Sequence, residues 1–266
     1  MTRGIEFTSA WSSIGTATTK TQLGNDVVFP AWATYLDAVM PQAILNTITA
    51  AESLIPACIL ESNDFRVAPF EVLGAPEGST LGASGGGHFQ GRQEKYAIGC
   101  PIKGGSRLSV YGQALVANTA APVMGAGIVV SNEHPGHVQK HAKLGTATTT
   151  GTTATSDVAG TPYTIVDASR ITELFGVVAM TTVAGGDALG GYIKYSSSEF
   201  VDSPPLKLPL NPIGTGLATL QISYIDGVSR APVNVECKSP TRIADYLYMP
   251  LAPGAAGNFV SGVIYE

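Results

Sequence analysis

Short apolar runs separated by turn-forming residues fill most of the chain, and they constrain its fold more than any other feature. Each run is apolar throughout or alternates apolar with polar residues, and Gly, Pro, Asn or Ser bounds it. The runs lie at residues 25–30, 54–60, 65–73, 95–102, 107–118, 125–131, 163–166, 171–183, 189–196, 217–225, 233–236, 243–251 and 259–265. About a dozen short strands at this spacing are typical of a β-sandwich or barrel rather than of alternating strand and helix units.

One stretch interrupts this pattern. Residues 32–51 are the only segment long enough for a helix, although Pro41 and the β-branched Thr47, Ile48 and Thr49 weaken one there. A helix followed by a strand is an equal alternative. The sequence therefore predicts an all-β, jelly-roll-like β-sandwich or barrel with a short helical insertion. The chain of 266 residues has room for one large barrel or two compact tandem barrels.

Weak internal similarity bears on that choice. Residues 108–131 and 172–196 each contain a strand, a turn of small residues and a second strand, and residues 95–105 are similar to residues 245–255. Because these pairs do not share one offset, they favour recurrent hairpins over a clean duplication. Two tandem jelly rolls remain open.

The same patterns divide the chain into four segments. Residues 1–24 are polar and rich in Ser, Thr and Gly, which predicts an N-terminal arm. Residues 25–132 and 163–266 hold the strand signals and are predicted as a first and a second β-module. Residues 133–162 have no apolar period and include a low-complexity Thr, Gly and Ala stretch, which predicts an exposed loop rich in His and Thr.

Charge is scarce, and this favours an assembled protein. Charged residues make up 13% of the chain, whereas a soluble monomer usually carries a well-charged surface. The net charge of −5 and the scattered Lys and Arg residues argue against direct or sequence-specific nucleic-acid binding. The N-terminus lacks the apolar core of a signal peptide, so we expect the protein to stay inside the cell until it assembles.

A hydrolase-like motif occurs once. Residues 82–86 match G-x-S-x-G, which in hydrolases places a nucleophilic serine, here Ser84, on a tight turn between a strand and a helix. Glycine-rich sequence stands on both sides, so neither element is predicted. We therefore interpret the motif as part of a flexible loop.

Three histidines form a second candidate. His134, His137 and His141 could share a metal ion if the segment were a turn or a helix, with Glu133 adjacent. Pro135 breaks a helix between the first two histidines. A solvated loop is the expected arrangement, with a metal or intersubunit contact as the alternative.

The remaining reactive side chains show no site pattern. Three cysteines without C-x-x-C spacing are expected to be buried thiols, namely Cys58, Cys100 and Cys237. Four tyrosines that alternate along strands are expected in the core or an interface, namely Tyr192, Tyr195, Tyr246 and Tyr248. Acidic residues are scattered and single. We predict no enzyme and no catalytic, cofactor-binding or metal-binding residue.

Across residues 25–266 the chain resembles the jelly-roll major capsid proteins of tailless icosahedral viruses that infect bacteria or archaea. The likeness lies in strands that end in short Gly, Ala or Pro turns, in the polar first segment, in the low charge and in the missing catalytic signature. It implies that residues 54–131 and 163–265 supply the jelly-roll strands. The Thr-rich stretch at 145–160 would form a tower or an intersubunit contact.

The same resemblance implies a function. The protein would be a major capsid subunit that assembles with copies of itself in the host cytoplasm and resides in the virion. A second coat or minor capsid protein is a possible further partner, and no cofactor or small-molecule substrate is implied.

Two other classes of function remain open. A phage tail-tube or extracellular filament subunit would also combine β-structure with low charge. A β-sandwich that binds or hydrolyses carbohydrate would need a pocket near Ser84 or the histidine cluster.

Overall fold

Strands account for all the regular structure that the computed structural model describes. It describes residues 2–8, 10–15, 18–45, 55–82, 85–89, 94–117, 122–150, 157–180, 188–214, 228–250 and 257–266. These residues form 22 strands and no helix. None of the described residues belongs to a helix with the length and hydropathy of a membrane span. The prediction of an all-β, jelly-roll-like fold is confirmed, and the strands form two β-sandwiches.

The described residues of the first half of the chain form twelve strands. They are β1 (Arg3–Phe7), β2 (Ser12–Ser13), β3 (Thr21–Gln22), β4 (Val27–Val28), β5 (Tyr35–Leu45), β6 (Pro56–Glu61), β7 (Phe70–Leu73), β8 (Ala75–Gly82), β9 (Gly85–Phe89), β10 (Tyr96–Pro101), β11 (Arg107–Ala114) and β12 (Val123–Ser131). We letter them B to I in chain order, with B split into β1 and β2, C split into β3 and β4, and the β8–β9 hairpin inserted between F and G. Strands β5, β6, β7, β10, β11 and β12 are then D to I.

Two sheets form from these strands. One runs B-I-D-G, because β12 pairs with β1, β2 and β5, and β5 pairs with β10. The other runs C-H-E-F, because β11 pairs with β3, β4 and β6, and β6 pairs with β7. This is the strand order of a jelly roll. The inserted hairpin joins the edge of β5 through a parallel pairing with β8.

The second half repeats this order. Its strands are β13 (His141–Leu144), β14 (Thr148–Thr149), β15 (Val158–Ala159), β16 (Tyr163–Ile165), β17 (Arg170–Met180), β18 (Ala188–Ser196), β19 (Leu206–Gly214), β20 (Ser229–Glu236), β21 (Thr241–Tyr248) and β22 (Gly257–Tyr265). With β13 and β14 as B, and β15 and β16 as C, the sheets are again B-I-D-G and C-H-E-F. The protein is thus two jelly rolls in tandem.

The helical insertion predicted within residues 32–51 is wrong where the structure describes it. Residues 35–45 form β5, which pairs with β12 along its length. Pro41 lies between Val39, the last residue of β5 that pairs with β10, and Gln42, the first that pairs with β8. The proline, which would interrupt a helix, is tolerated at this gap in the ladder. Residues 46–51 lie outside the described residues.

The structure also differs from the predicted arm and loop. Within residues 1–24, β1 and β2 pair with β12, and β3 pairs with β11, so this segment supplies jelly-roll strands. Within residues 133–162, β13 and β14 pair with β22, and β15 pairs with β21. Short strands embedded in Thr-rich and Gly-rich sequence give little periodic signal, which is why composition indicated a loop. Residues 151–156 lie outside the described residues.

Candidate assembly surface

Side chains on β17 and β22 divide between two hydrophobic clusters. Phe259 and Val263 of β22 belong to the core of the second jelly roll, whereas Val260 and Ile264 belong to the cluster that contains the core of the first. On β17, Leu174 belongs to the second core. Two more β17 residues, Phe175 and Val177, join the first cluster. Because successive strand residues face opposite sides, the outer B-I-D-G face of the second jelly roll packs against the first jelly roll.

Aromatic and charged contacts fix one part of this junction. The ring of Tyr96, on G of the first jelly roll, meets Phe175 edge-on at 5.6 Å between centroids. The guanidinium of Arg230, on G of the second, lies 4.5 Å from the centroid of Tyr96. Arg230 donates hydrogen bonds to Glu173 and, at 3.0 Å, to Glu94. Burial disfavours the charge of Arg230, but the hydrogen bond and charge of Glu173 outweigh it and raise its pKa.

A second set of polar contacts ties the B strand of the second jelly roll to F of the first. Lys143 of β13 forms an ion pair with Glu71 of β7 at 2.9 Å. The same carboxylate accepts a hydrogen bond from the backbone N–H of Leu144 at 3.3 Å. The first jelly roll therefore covers the second with its F and G strands.

Part of the equivalent outer face of the first jelly roll, along its B strand, is exposed and apolar. Ile5 and Phe7 of β1 are 51% and 64% exposed, and Trp11, just before β2, is 45% exposed. They lie over β12, where Gly125 and Gly127 face outward. A Cβ atom at Gly125 would come within 3.0 Å of the Trp11 ring, so glycine gives the indole room to lie flat on the sheet.

An ion pair between the half-exposed Arg3 and the buried Asp37 holds the edge strand that carries these side chains. Arg3 donates to Asp37 of β5 from Nε at 3.2 Å and Nη2 at 3.0 Å. The other Asp37 oxygen accepts a hydrogen bond from the hydroxyl of Ser131 at 2.8 Å. The exposed apolar face, defined here by Ile5, Phe7 and Trp11, is thereby built on a strand with a fixed register.

The predicted tyrosines occupy two environments. Tyr195 lies in the second core and donates a hydrogen bond to the carbonyl of Phe175 at 2.8 Å. Tyr192 and Tyr248 stack at 4.9 Å on the outer C-H-E-F face of the same jelly roll. Lys194 lies 4.5 Å from the ring of Tyr246 on that face. These outer rings are half-buried and touch one another and lysine side chains.

The structure separates the three candidate histidines. His134 packs edge-on against Tyr35 at 5.2 Å, and His137 lies against Gly99, where a Cβ atom would come within 2.4 Å of the imidazole. His141 is buried on β13. Among the described residues, no three His, Cys, Asp or Glu side chains form a group that could hold a metal. Ser84 lies outside the described residues.

Two other results concern residues outside that cluster. The prediction of buried free thiols is confirmed at Cys58, Cys100 and Cys237. Sequence reasoning missed the exposed apolar face. The alternation of Ile5 and Phe7 with Gly4 and Glu6 indicates that the two side chains share a side, but not that this side is exposed.

No protein-family model matches the sequence, and no curated protein matches it. The fold is similar to the major capsid protein P2 of bacteriophage PM2, with 8% identity, a TM-score of 0.39 and coverage of 99% of this chain and 97% of that one. A chain in the atomic structure of Sulfolobus turreted icosahedral virus is 10% identical, with a TM-score of 0.48 and coverage of 98% and 90%. A peptide-N(4)-(N-acetyl-β-D-glucosaminyl) asparagine amidase is 9% identical, with a TM-score of 0.42 and coverage of 99% and 96%. At these sequence identities and TM-scores, structural similarity does not distinguish a capsid protein from an amidase.

Proposed function

We propose that the protein is a major capsid subunit, without enzymatic activity, that builds an icosahedral shell by associating with copies of itself. The exposed apolar face of the first jelly roll is its proposed contact surface. The chain would then reside in the virion after assembly in the host cytoplasm, and a second coat protein could join the shell.

One observation carries this proposal. The two jelly rolls have the same strand order, and in the second the outer B-I-D-G face is buried beneath F and G of the first. The same face of the first jelly roll leaves Ile5, Phe7 and Trp11 exposed. Exposed apolar side chains grouped on one sheet are typical of a surface that another protein covers.

The contact inside the chain indicates how a copy could cover this face. Strands β19 and β20 are F and G of the second jelly roll, equivalent to β7 and β10, which cover the second jelly roll from the first. If β19 and β20 of one copy lie on the exposed apolar face of the next, each contact joins different surfaces. Such head-to-tail contacts close into rings when the rotation between copies allows it.

The sparse charge suits this mode of association. Burying a charged side chain costs several kcal/mol unless a partner compensates it. Ile5, Phe7 and Trp11 incur no such cost, and each would contribute on the order of 1 kcal/mol when covered.

Native mass and particle shape test the proposal. We expect the wild-type chain to form rings or closed shells in light scattering and negative-stain microscopy. The double variant Ile5→Asp/Phe7→Asp should weaken association roughly 100-fold or more, because two carboxylates would be buried without partners. Val28→Asp is the matched control, since Val28 is 54% exposed but lies on β4, in the opposite C-H-E-F sheet.

The outcomes separate the alternatives. A wild-type chain that stays monomeric at every concentration overturns the proposal, as does a double variant that assembles like the control. Tubes instead of closed particles would favour a tail-tube or filament subunit. An activity lost in Ser84→Ala while assembly persists would favour the hydrolase.

A further inference from the structure

Among the residues whose burial is described, one histidine is buried, and it lies where the two jelly rolls meet. His141 is the first residue of β13 and is 2% exposed. Its Nε2 atom is buried and has no hydrogen-bond partner among the described residues. An imidazole in this position is accommodated only as the neutral species, because a protonated ring would leave a second N–H donor buried and unpaired.

Elements of both jelly rolls surround this ring. The ring of Tyr265, opposite His141 in the β13–β22 ladder, has its centroid at 5.5 Å. Val67, from the connection between β6 and β7, makes a backbone hydrogen bond with the imidazole. Arg66 on the same connection donates to the carbonyl of Asp167 at 3.3 Å, which joins the two jelly rolls directly.

The charges around His141 have opposing effects. Burial, followed by the positive charge of Arg66, lowers the pKa of His141 to about 4, while the Val67 hydrogen bond and the charge of Asp167 act in the opposite direction. Other titratable or charged groups near its neighbours are Glu71, which acts on Tyr265, and the ion pair of Arg170 with Glu266.

We propose that His141 is an acid-sensitive latch on the junction: its neutral ring holds the β6–β7 connection against the second jelly roll, and its protonation releases that contact. Protonation strengthens the Val67 hydrogen bond, but it places a second cation beside Arg66 and a buried N–H donor at Nε2, and these two costs outweigh the gain. Both costs are relieved when the connection moves away from β13.

The direction of the pH dependence follows from linkage. A histidine with a folded-state pKa below its unfolded value contributes stability that is fully present above the unfolded pKa, about 6.5, and is lost as pH falls through the folded pKa. Between pH 7 and pH 4, the latch alone changes the unfolding equilibrium constant by roughly 100-fold.

This latch also bears on assembly, and that step rests on the proposed function. A closed ring of subunits needs the two jelly rolls of each copy in a fixed relation. The outer B-I-D-G face of the second jelly roll is covered within the chain, and that of the first is covered by the neighbouring copy. Acid that frees the junction would therefore weaken the association between subunits.

Urea unfolding of the full chain from pH 7 to pH 4 tests the latch. His141→Gln retains a hydrogen-bond donor but does not titrate, so it should lose the roughly 100-fold acid effect. His137→Gln, on the linker before β13, is the matched control and should behave like wild type. A folded His141→Gln variant with the wild-type pH dependence would overturn the latch, since carboxylates would then account for the whole effect.

Hydrogen exchange of the wild-type chain shows where the junction opens, and it does not depend on whether the His141→Gln variant folds. In the wild-type chain, amides of residues 141–144, which pair with β22, should lose protection on acidification before those of β11, within the first jelly roll. Simultaneous loss everywhere would contradict a local latch. Light scattering on the same samples reports assembly separately, so an acid-labile junction in a monomeric chain would refute the proposed function and leave the latch intact.

Discussion

The two jelly rolls share a strand order but differ in what each outer B-I-D-G face meets. In the second, Phe175, Val260 and Ile264 are fully buried beneath the first jelly roll. In the first, Ile5 and Phe7 occupy the same face and are more than half exposed. A repeated topology therefore does not imply repeated surfaces, because position in the chain decides which face an intramolecular partner covers.

Two buried carboxylates, one in each jelly roll, differ in a similar way. Asp37 of the first jelly roll has hydrogen bonds to both oxygens, from Arg3 and Ser131. The buried carboxylate of the second, Asp245, accepts a hydrogen bond from Ser261 at 2.7 Å and has no partner for its other oxygen among the described residues. The charge of Asp37 is therefore compensated at both oxygens, whereas the charge of Asp245 is compensated at one.

Removing the arginine at the junction should have the largest effect on stability. Arg230→Gln removes the cation that pairs with Glu94 and Glu173, whose carboxylates are largely buried. We therefore expect the free energy of unfolding to fall by about 3 kcal/mol. Lys143→Gln is the control, because the more exposed Lys143–Glu71 pair should contribute less than about 1 kcal/mol. Urea unfolding measures both. Equal losses would mean that the junction does not depend on burial of the Arg230 cluster.

A matched pair of glycines compares the covered and uncovered faces directly. Each glycine lies on strand I opposite a residue of strand D: Gly262 opposite Phe175, and Gly127 opposite Met40. A Cβ atom at Gly262 would come within 2.4 Å of the Phe175 ring, which is confined at the junction, whereas one at Gly127 would come within 3.1 Å of the terminal methyl of Met40. Gly262→Ala should cost about 2 kcal/mol and Gly127→Ala less than about 1 kcal/mol.

Thermal and urea unfolding of the two glycine variants give the comparison. If Gly127→Ala is as costly as Gly262→Ala in the isolated chain, the outer face of the first jelly roll is already covered within one copy. If Gly127→Ala becomes costly only in the assembled protein, a neighbouring copy covers it.

Strand alternation was sufficient to predict the β-class, because runs such as Arg107–Ala114 bury every second residue. The helix within 32–51 was wrong, since the pairing of β5 with β12 is a contact between distant segments that no local pattern contains. The exposed apolar face was beyond sequence reasoning for a related reason. Alternation shows that Ile5 and Phe7 share a side, but only the position of the second jelly roll shows that this side is uncovered.

Opposite responses of the two buried carboxylates are the smallest expected effect. Burial, the largest influence, raises the pKa of Asp245, while the Ser261 hydrogen bond opposes this. An acid with a raised folded-state pKa contributes stability that is present below its unfolded pKa and is lost as pH rises through the folded pKa. Asp245→Asn should therefore stabilise the protein at pH 8 by on the order of 1 kcal/mol and have little effect in acid.

Asp37→Asn should act in the other direction. The carboxylate is matched by Arg3 and Ser131, so its neutral replacement removes a charged partner from a half-exposed arginine and destabilises the protein by about 1 kcal/mol at neutral pH. Urea unfolding of both variants at pH 5 and pH 8 separates the two cases. If both substitutions stabilise, Asp37 is as poorly compensated as Asp245. If both destabilise, the second oxygen of Asp245 has a partner, such as a buried water, and the two carboxylates are compensated alike.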